Sequence, residues 1–300
     1  MDIVDTQVHL GPGGAAKMLA AMDALGIQSV LVDETWIGSP SDPKYPVGDG
    51  GFRASAPTAE LAAWTYPGRF AYVTRVDRRD PDARSLIRMA RDADHVRALR
   101  LLPSMNRVEV AAFADGEYDT IFDGGSICGL PVFVAIGGRT HLLARYLEKF
   151  PKLTVIVCHC GMPPSPTIRK LLAQMEGLPD SEAYWEGLGN APLMDSLDKV
   201  LRLADYPNVA IKWAHASAIF GVPGYPNEAL RPYLRRMLDA FGAERLMWAS
   251  DYSTIPTGET WAELLFSVRN NPDLTDAERE SLLGGTARRW LNWAPRKRDS

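Results

Sequence analysis

Cysteine is scarce in this chain: Cys128, Cys158 and Cys160 are the only three in 300 residues. An odd, low count excludes a disulfide framework and points to reduced thiols and a cytoplasmic address. No uninterrupted apolar stretch is long enough to span a bilayer, so no membrane segment is expected. The N-terminus lacks a basic segment followed by an apolar one, and no signal peptide is expected. A large charge of one sign is also missing. A formal net charge of −4 gives no electrostatic ground for binding nucleic acid or an anionic membrane. The basic run Arg296, Lys297, Arg298 is short and reads as a solvated end. Gly11-Pro12-Gly13-Gly14 lacks the Lys-Ser/Thr of a phosphate loop and instead leaves room for substrate after the first strand. No linker divides the chain, so residues 1–300 are expected to form a single domain.

What the chain does have is an ordinary core fraction, 46% hydrophobic, arranged with a repeat. Eight short β-branched runs recur: Asp2–His9, Gln28–Glu34, Phe70–Asp77, Val96–Leu102, Pro131–Ile136, Leu153–His159, Val209–Trp213 and Leu246–Asp251. Many are nearly continuous apolar strings, as parallel strands covered on both faces require. Between them lie helix-forming segments: Ala15–Leu25, Asp82–Ala93, Thr140–Phe150, Met194–Ala204, Asn227–Phe241 and a last region, Thr275–Trp293. Strand, crossover and parallel strand, eight times over, predict an α/β fold: a single (β/α)8 TIM barrel. Long connections, Thr35–Pro67, Pro103–Leu130 and Gly161–Asn190, follow the second, fourth and sixth strands and are expected over the barrel mouth.

In such a barrel the chemistry collects at the C-terminal strand ends. The first strand ends Asp5-Thr6-Gln7-Val8-His9, and alternation puts Gln7 and His9 on one face. The sixth ends at His159, the seventh ends Lys212-Trp213-Ala214-His215, and the eighth ends at Asp251. Three histidines and a carboxylate converging suit a borderline divalent ion such as Zn²⁺ or Mn²⁺, able to activate water and polarise a carbonyl. Asp251 fits a general base, and His159 and His215 are further catalytic candidates. Arg75 and Arg100, near the ends of the third and fourth strands, could hold a substrate carboxylate in a bidentate fork, with Lys212 as a further binding candidate. Cys158 and Cys160 flank His159, and by alternation both should point away from it, between strand and helices. Trp36, Tyr45 and Phe52 could wall a flat substrate or anchor their loop to the barrel.

At these residues the chain resembles the amidohydrolase superfamily. Asp5-Thr6-Gln7-Val8-His9 resembles its first-strand Asp-x-His-x-His, and Val157-Cys158-His159-Cys160-Gly161 its sixth-strand His-Gly. Trp248-Ala249-Ser250-Asp251-Tyr252 resembles its eighth-strand Ser-Asp followed by an aromatic residue, and Thr286-Ala287-Arg288-Arg289-Trp290-Leu291 its closing helix. The resemblance spans essentially the whole chain and points to the amidohydrolase-related branch of lactonases and decarboxylases. It implies a small-molecule substrate, a carboxylated cyclic or aromatic compound, and pairing into a homodimer. It implies one divalent metal, Zn or Mn, on Gln7, His9, His159 and Asp251. Gln7, however, stands where that family has its first metal-binding His, and a neutral amide is a poorer ligand. The site therefore either holds one metal weakly or works without it, as the branch's pyrone-dicarboxylate lactonase is thought to do. No Lys, His or Glu ends the fifth strand, which argues against a binuclear centre.

Three functions follow. The first is a hydrolase that opens a lactone with water activated by Asp251, with or without metal. Asn208-Val209-Ala210-Ile211-Lys212, similar to the lactonase branch, favours it. So does the electrophilicity of a lactone carbonyl, which needs less metal help than an amide. The second is a non-oxidative decarboxylase of an aromatic or muconate-type acid, favoured by His215. The third is a non-catalytic barrel with a decayed metal site.

Overall fold

The computed structural model describes residues 1–10, 14–34, 43–163, 165–166, 193–222, 224–252 and 258–295. The β-branched runs form eight parallel strands: β1 (Val4–Val8), β2 (Ser29–Val32), β5 (Phe70–Arg75), β6 (Val96–Leu101), β7 (Val132–Val134), β8 (Val155–Val157), β9 (Val209–Ala214) and β10 (Leu246–Ala249). Their order around the sheet is β1-β2-β5-β6-β7-β8-β9-β10, a nearly closed barrel with helices outside. Sequential neighbours joined by helical crossovers are what a right-handed parallel barrel demands. The connection after β2 adds a hairpin, β3 (Lys44–Pro46) and β4 (Phe52–Ala54), and a helix, Pro57–Thr65. The connection after β6 carries two helices, Arg107–Asp115 and Asp119–Cys128. Most of the connection after the sixth barrel strand, and Trp36, lie outside the described residues. Among the described residues no helix is long and apolar enough to cross a membrane.

Two apolar clusters divide the core. The interior of the barrel is filled by Val4, Leu31, Val73, Ala98, Phe133, Ile156, Ala210 and Met247. The larger cluster lies between the sheet and its helices. Alternation explains most of the division: along β9, Val209, Ile211 and Trp213 face the helices, while Ala210 faces the interior. In β1 the alternation is broken deliberately. From Asp5 to Val8 the strand advances three residues while β2 advances from Val30 to Val32. The extra residue is a bulge, and it lets Val4 pack in the interior while Gln7 also reaches inward.

The last strand meets the first at a polar seam. The backbone N–H of Asp251 donates to the Gln7 carbonyl at 2.9 Å, and the Thr6 hydroxyl donates to the Trp248 carbonyl at 2.7 Å. Asp5, wholly buried, accepts from the backbone N–H groups of Ser250 (2.9 Å) and Gln7 (3.2 Å) and from the indole N–H of Trp261 (2.8 Å). Trp261 is delivered by the first turn of helix Trp261–Arg269, whose start is fixed by a reciprocal cap between Thr260 and Glu263. Burial outweighs these donors and pushes the Asp5 carboxyl up to about 6, from an ordinary 3.8.

A folded-state value above the unfolded one means that the native protein binds this proton more tightly. The Asp5 contribution to stability is therefore complete below about pH 4 and is lost as pH rises through about 6. Urea unfolding of the wild type and Asp5→Asn between pH 4 and 7 should show the wild type losing ground to the variant across that window. A difference that does not change with pH would contradict this account.

Candidate active site

The ends of β8, β9 and β10 share an uncommon backbone feature. His159, His215 and Asp251 all have positive φ, 50°, 51° and 55°. Side chains other than glycine are disfavoured there, and such residues cluster at functional sites. The turn they make aims all three side chains at one point. His159 Nε2 lies 3.1 Å from Asp251 Oδ2, and His215 Nδ1 lies 3.5 Å from the same oxygen. From β1, His9 Nε2 reaches Asp251 Oδ1 at 2.8 Å and the Gln7 Nε2 amide donates to it at 2.9 Å. Gln7 and His9 thus serve one carboxylate, on the same side of the chain as the sequence spacing implied.

Burial alone would raise the Asp251 carboxyl, but hydrogen bonds from His159, His215 and His9 outweigh it and hold the group well below the usual 3.8. Burial lowers the His159 imidazole below its ordinary 6.5, which keeps it neutral at pH 7. His159 is also the most open of the three imidazoles: its side chain is 25% exposed, against 7% for His9 and 3% for His215.

Under this cluster lies Lys212, on β9 and 1% exposed. Its Nζ donates to Gln7 Oε1 at 2.5 Å and sits 4.5 Å over the ring of Phe133. Burial lowers its ammonium to about 8. Beside it a second buried cation, Arg100, donates through Nε to Asp33 Oδ2 at 3.1 Å and through Nη1 to the Cys158 sulfur. Arg75 donates through Nε to the other Asp33 oxygen at 2.7 Å. Burial would raise Asp33, yet Arg75, Arg100 and His9 together hold it well below its ordinary value.

Two points differ from the sequence reading. Cys158 does not face the helices: it packs in the barrel interior against Arg100, whereas Cys160 does pack outside. Alternation holds only while the chain stays extended, and it ends at His159, where φ turns positive. Asp33, which no motif singled out, is the hub of the two arginines. The available signal was an acidic pair, Asp33-Glu34, closing an apolar run. Arg53 is committed to Asp80 and Asp82.

A cavity of about 570 Å³, within the range of small-molecule sites, opens over Arg75 and Arg100; the residues around Asp251 do not line it. Arg75, Arg100 and Leu102 line it from the barrel, Lys44, Phe52 and Ala54 from the hairpin, and Arg107, Val108 and Tyr118 from beyond β6. Arg78 and Arg79 bring its cations to six, against the acids Glu34, Asp77 and Glu109. Each acid is committed: Glu34 caps the helix at Thr58 and Ala59, Asp77 holds Arg79, and Glu109 holds Arg78. The cavity is therefore left electropositive.

The donors around Asp251 do not fit a resident divalent ion. Among the described residues no three His, Cys, Asp or Glu side chains are arranged to hold one. Both Asp251 oxygens already receive donors, and Gln7 turns toward them its amide nitrogen, which has no lone pair to give.

A parallel barrel with imidazoles and a carboxylate gathered at its strand ends defines a barrel-enzyme type of site. The sequence profile of the amidohydrolase family (amidohydrolase 2) matches residues 4–293, and the chain belongs to that family. No curated protein sequence matches it. Among solved structures, a zinc-bound amidohydrolase from Burkholderia multivorans is 18% identical with a TM-score of 0.66, over 98% of this chain and 100% of that one. A Pseudomonas putida protein proposed to be a 2-pyrone-4,6-dicarboxylic acid hydrolase is 19% identical, TM-score 0.66, over 98% and 99%. A 5-carboxyvanillate decarboxylase from Novosphingobium aromaticivorans, bound to manganese and 3-methoxy-4-hydroxy-5-nitrobenzoic acid, is 15% identical, TM-score 0.63, over 97% of each chain. At these identities the likeness is one of fold. The family holds both hydrolases and decarboxylases.

The pairing of Asp33 with two arginines yields a stability test. Asp33→Ala leaves two guanidiniums beneath the site without their shared counter-charge, and should cost about 3–5 kcal/mol in urea unfolding. A loss under about 1 kcal/mol would mean that the arginines find other partners.

Proposed function

We propose that this protein hydrolyses a lactone that bears a carboxylate, with Asp251 as general base. The observation that carries the reading is the convergence of His9, His159, His215 and Gln7 on the one buried, ionised carboxylate. A substrate carbonyl entering beside His159, the most open imidazole, draws that N–H away from Asp251. The carboxylate then loses a donor that depressed its basicity, and it can take a proton from water. The water oxygen bonds to the carbonyl carbon as its proton passes to Asp251. His159 donates to the developing oxyanion. Collapse breaks the acyl C–O bond of the ring, and the departing oxygen takes the proton back from Asp251. The product is a hydroxy acid. The electropositive cavity supports a carboxylated substrate, and Arg75 is the residue to hold it. Its side chain is 17% exposed and spends only Nε on Asp33. Arg100 is 3% exposed and already engaged, so it acts by fixing Asp33.

The second reading, decarboxylation of an aromatic acid, is favoured by His215, which stands 3.5 Å from Asp251 and could return a proton to ring carbon.

A pH-indicator screen of carboxylated lactones, run beside a bicarbonate-producing assay on carboxylated aromatics, separates the two. Hydrolysis is the expected result, and carbon dioxide release without hydrolysis would replace it by the second reading. Asp251→Asn should lower kcat by about 10²- to 10⁴-fold with an unchanged circular dichroism spectrum, and full activity in that variant would end the mechanism. Arg75→Met should raise KM for a carboxylated lactone by about 10- to 100-fold while leaving a neutral lactone unaffected. Equal effects on the two substrates would remove Arg75 from the binding role.

A further inference from the structure

The partner of Lys212 decides what Gln7 can do. An ammonium group has donors only, so whatever it contacts must present an acceptor. Lys212 Nζ lies 2.5 Å from the Gln7 side-chain oxygen. That contact fixes which way round the amide sits: Oε1 down to Lys212, Nε2 up to Asp251 Oδ1 at 2.9 Å and within 3.4 Å of His159 Nε2. The amide cannot rotate to offer its oxygen to the cluster without placing an NH₂ group against the ammonium. Lys212 in turn has little freedom, being buried on β9 against the face of Phe133.

We infer that Lys212 and Gln7 form a built-in replacement for a metal ion. Lys212 is the fixed positive charge beneath the cluster, and Gln7 passes its influence to Asp251 as a hydrogen bond. The pair excludes a divalent cation in two ways. The amide nitrogen occupies the carboxylate oxygen and approaches the imidazole nitrogen that an ion would share, and the ammonium repels a second positive charge across a buried, low-dielectric gap. Lys212 is in this account a positioning residue, acting through Gln7. The inference is independent of whether the reaction is hydrolysis or decarboxylation, since it concerns only what the cluster can bind.

Zinc titration calorimetry and elemental analysis on chelator-treated protein test it. Five proteins are needed: wild type, Gln7→His, Lys212→Met, Gln7→His/Lys212→Met and Gln7→His/Lys212→Arg. Circular dichroism establishes which are folded. The wild type should take up no stoichiometric zinc. Gln7→His/Lys212→Met should bind one equivalent at least about tenfold more tightly than Gln7→His, in which the ammonium remains. Gln7→His/Lys212→Arg keeps the charge and should bind no more tightly than Gln7→His. If Lys212→Met proteins do not fold, Lys212→Gln variants, which remove the charge but keep a polar side chain, take their place in the same comparison. One tightly held zinc in the wild type, or zinc affinity in the double variants that ignores the charge at position 212, overturns the inference.

Discussion

The seam between β10 and β1 is the constraint on which the site depends. His9 and Asp251 are separated by 242 residues of sequence, and only the return of the last strand to the first brings them within 2.8 Å. Closing a loop of that length costs on the order of 5 kcal/mol in chain entropy, a cost that grows slowly with length and is spread over the whole sheet. What the seam adds locally is register. The Gln7 carbonyl receives the Asp251 N–H, and the Asp5 carboxylate receives the N–H groups of Ser250 and Gln7. Backbone atoms of the candidate site residues are thus tied to one another directly. A one-residue slip would carry Gln7 to the helix side of the barrel and leave Asp251 without its donor.

That tying has to hold against strain. His159, His215 and Asp251 each sit at positive φ, at about 1–3 kcal/mol apiece. Their total is comparable with the whole net stability of an ordinary domain, about 5–15 kcal/mol. The left-handed turns persist because each strained residue delivers a side chain into the same hydrogen-bonded group, and Asp251 accepts from the others. The cluster therefore stabilises the backbone geometry that creates it. The carboxylate is the common partner of the other two turns, so the contacts that set its basicity also support the local backbone.

The fold was legible because parallel barrel strands are buried on both faces, which leaves a hydrophobic signature with no need of long-range information. All eight runs contain strands, including Val96–Leu101, whose two arginines weaken its apolar pattern; one of them, Arg100, turns inward to Asp33, just past the end of β2. That pairing spans 67 residues and has no local signature, so no motif points to Asp33. Gln7, His9, His159, His215 and Asp251 could be picked from strand ends because barrel topology alone predicts their approach. The side to which Cys158 points could not be, because alternation assumes an extended backbone and cannot foresee a left-handed turn at the next residue. The direction of the Gln7 amide was likewise invisible: it is set by Lys212, 205 residues away.

Charge balance within the barrel draws these features together. Two buried cations, Arg100 and Lys212, face two buried carboxylates, Asp33 and Asp251, with the neutral His159 imidazole beside them. A low-dielectric interior tolerates such a set only when it is close to neutral, because each uncompensated charge would cost several kcal/mol. The two cations and the two carboxylates balance one another. The surplus of positive charge lies elsewhere, in the half-open cavity at the rim, where solvent screens it until a ligand arrives. On the proposed function, the two regions take different parts of one reactant: the cluster the uncharged carbonyl and a water molecule, the rim an anionic group carried on the same molecule. Separating the two lets binding energy come from the charged end while the reacting end is left to the groups whose hydrogen bonds change as the bond is made.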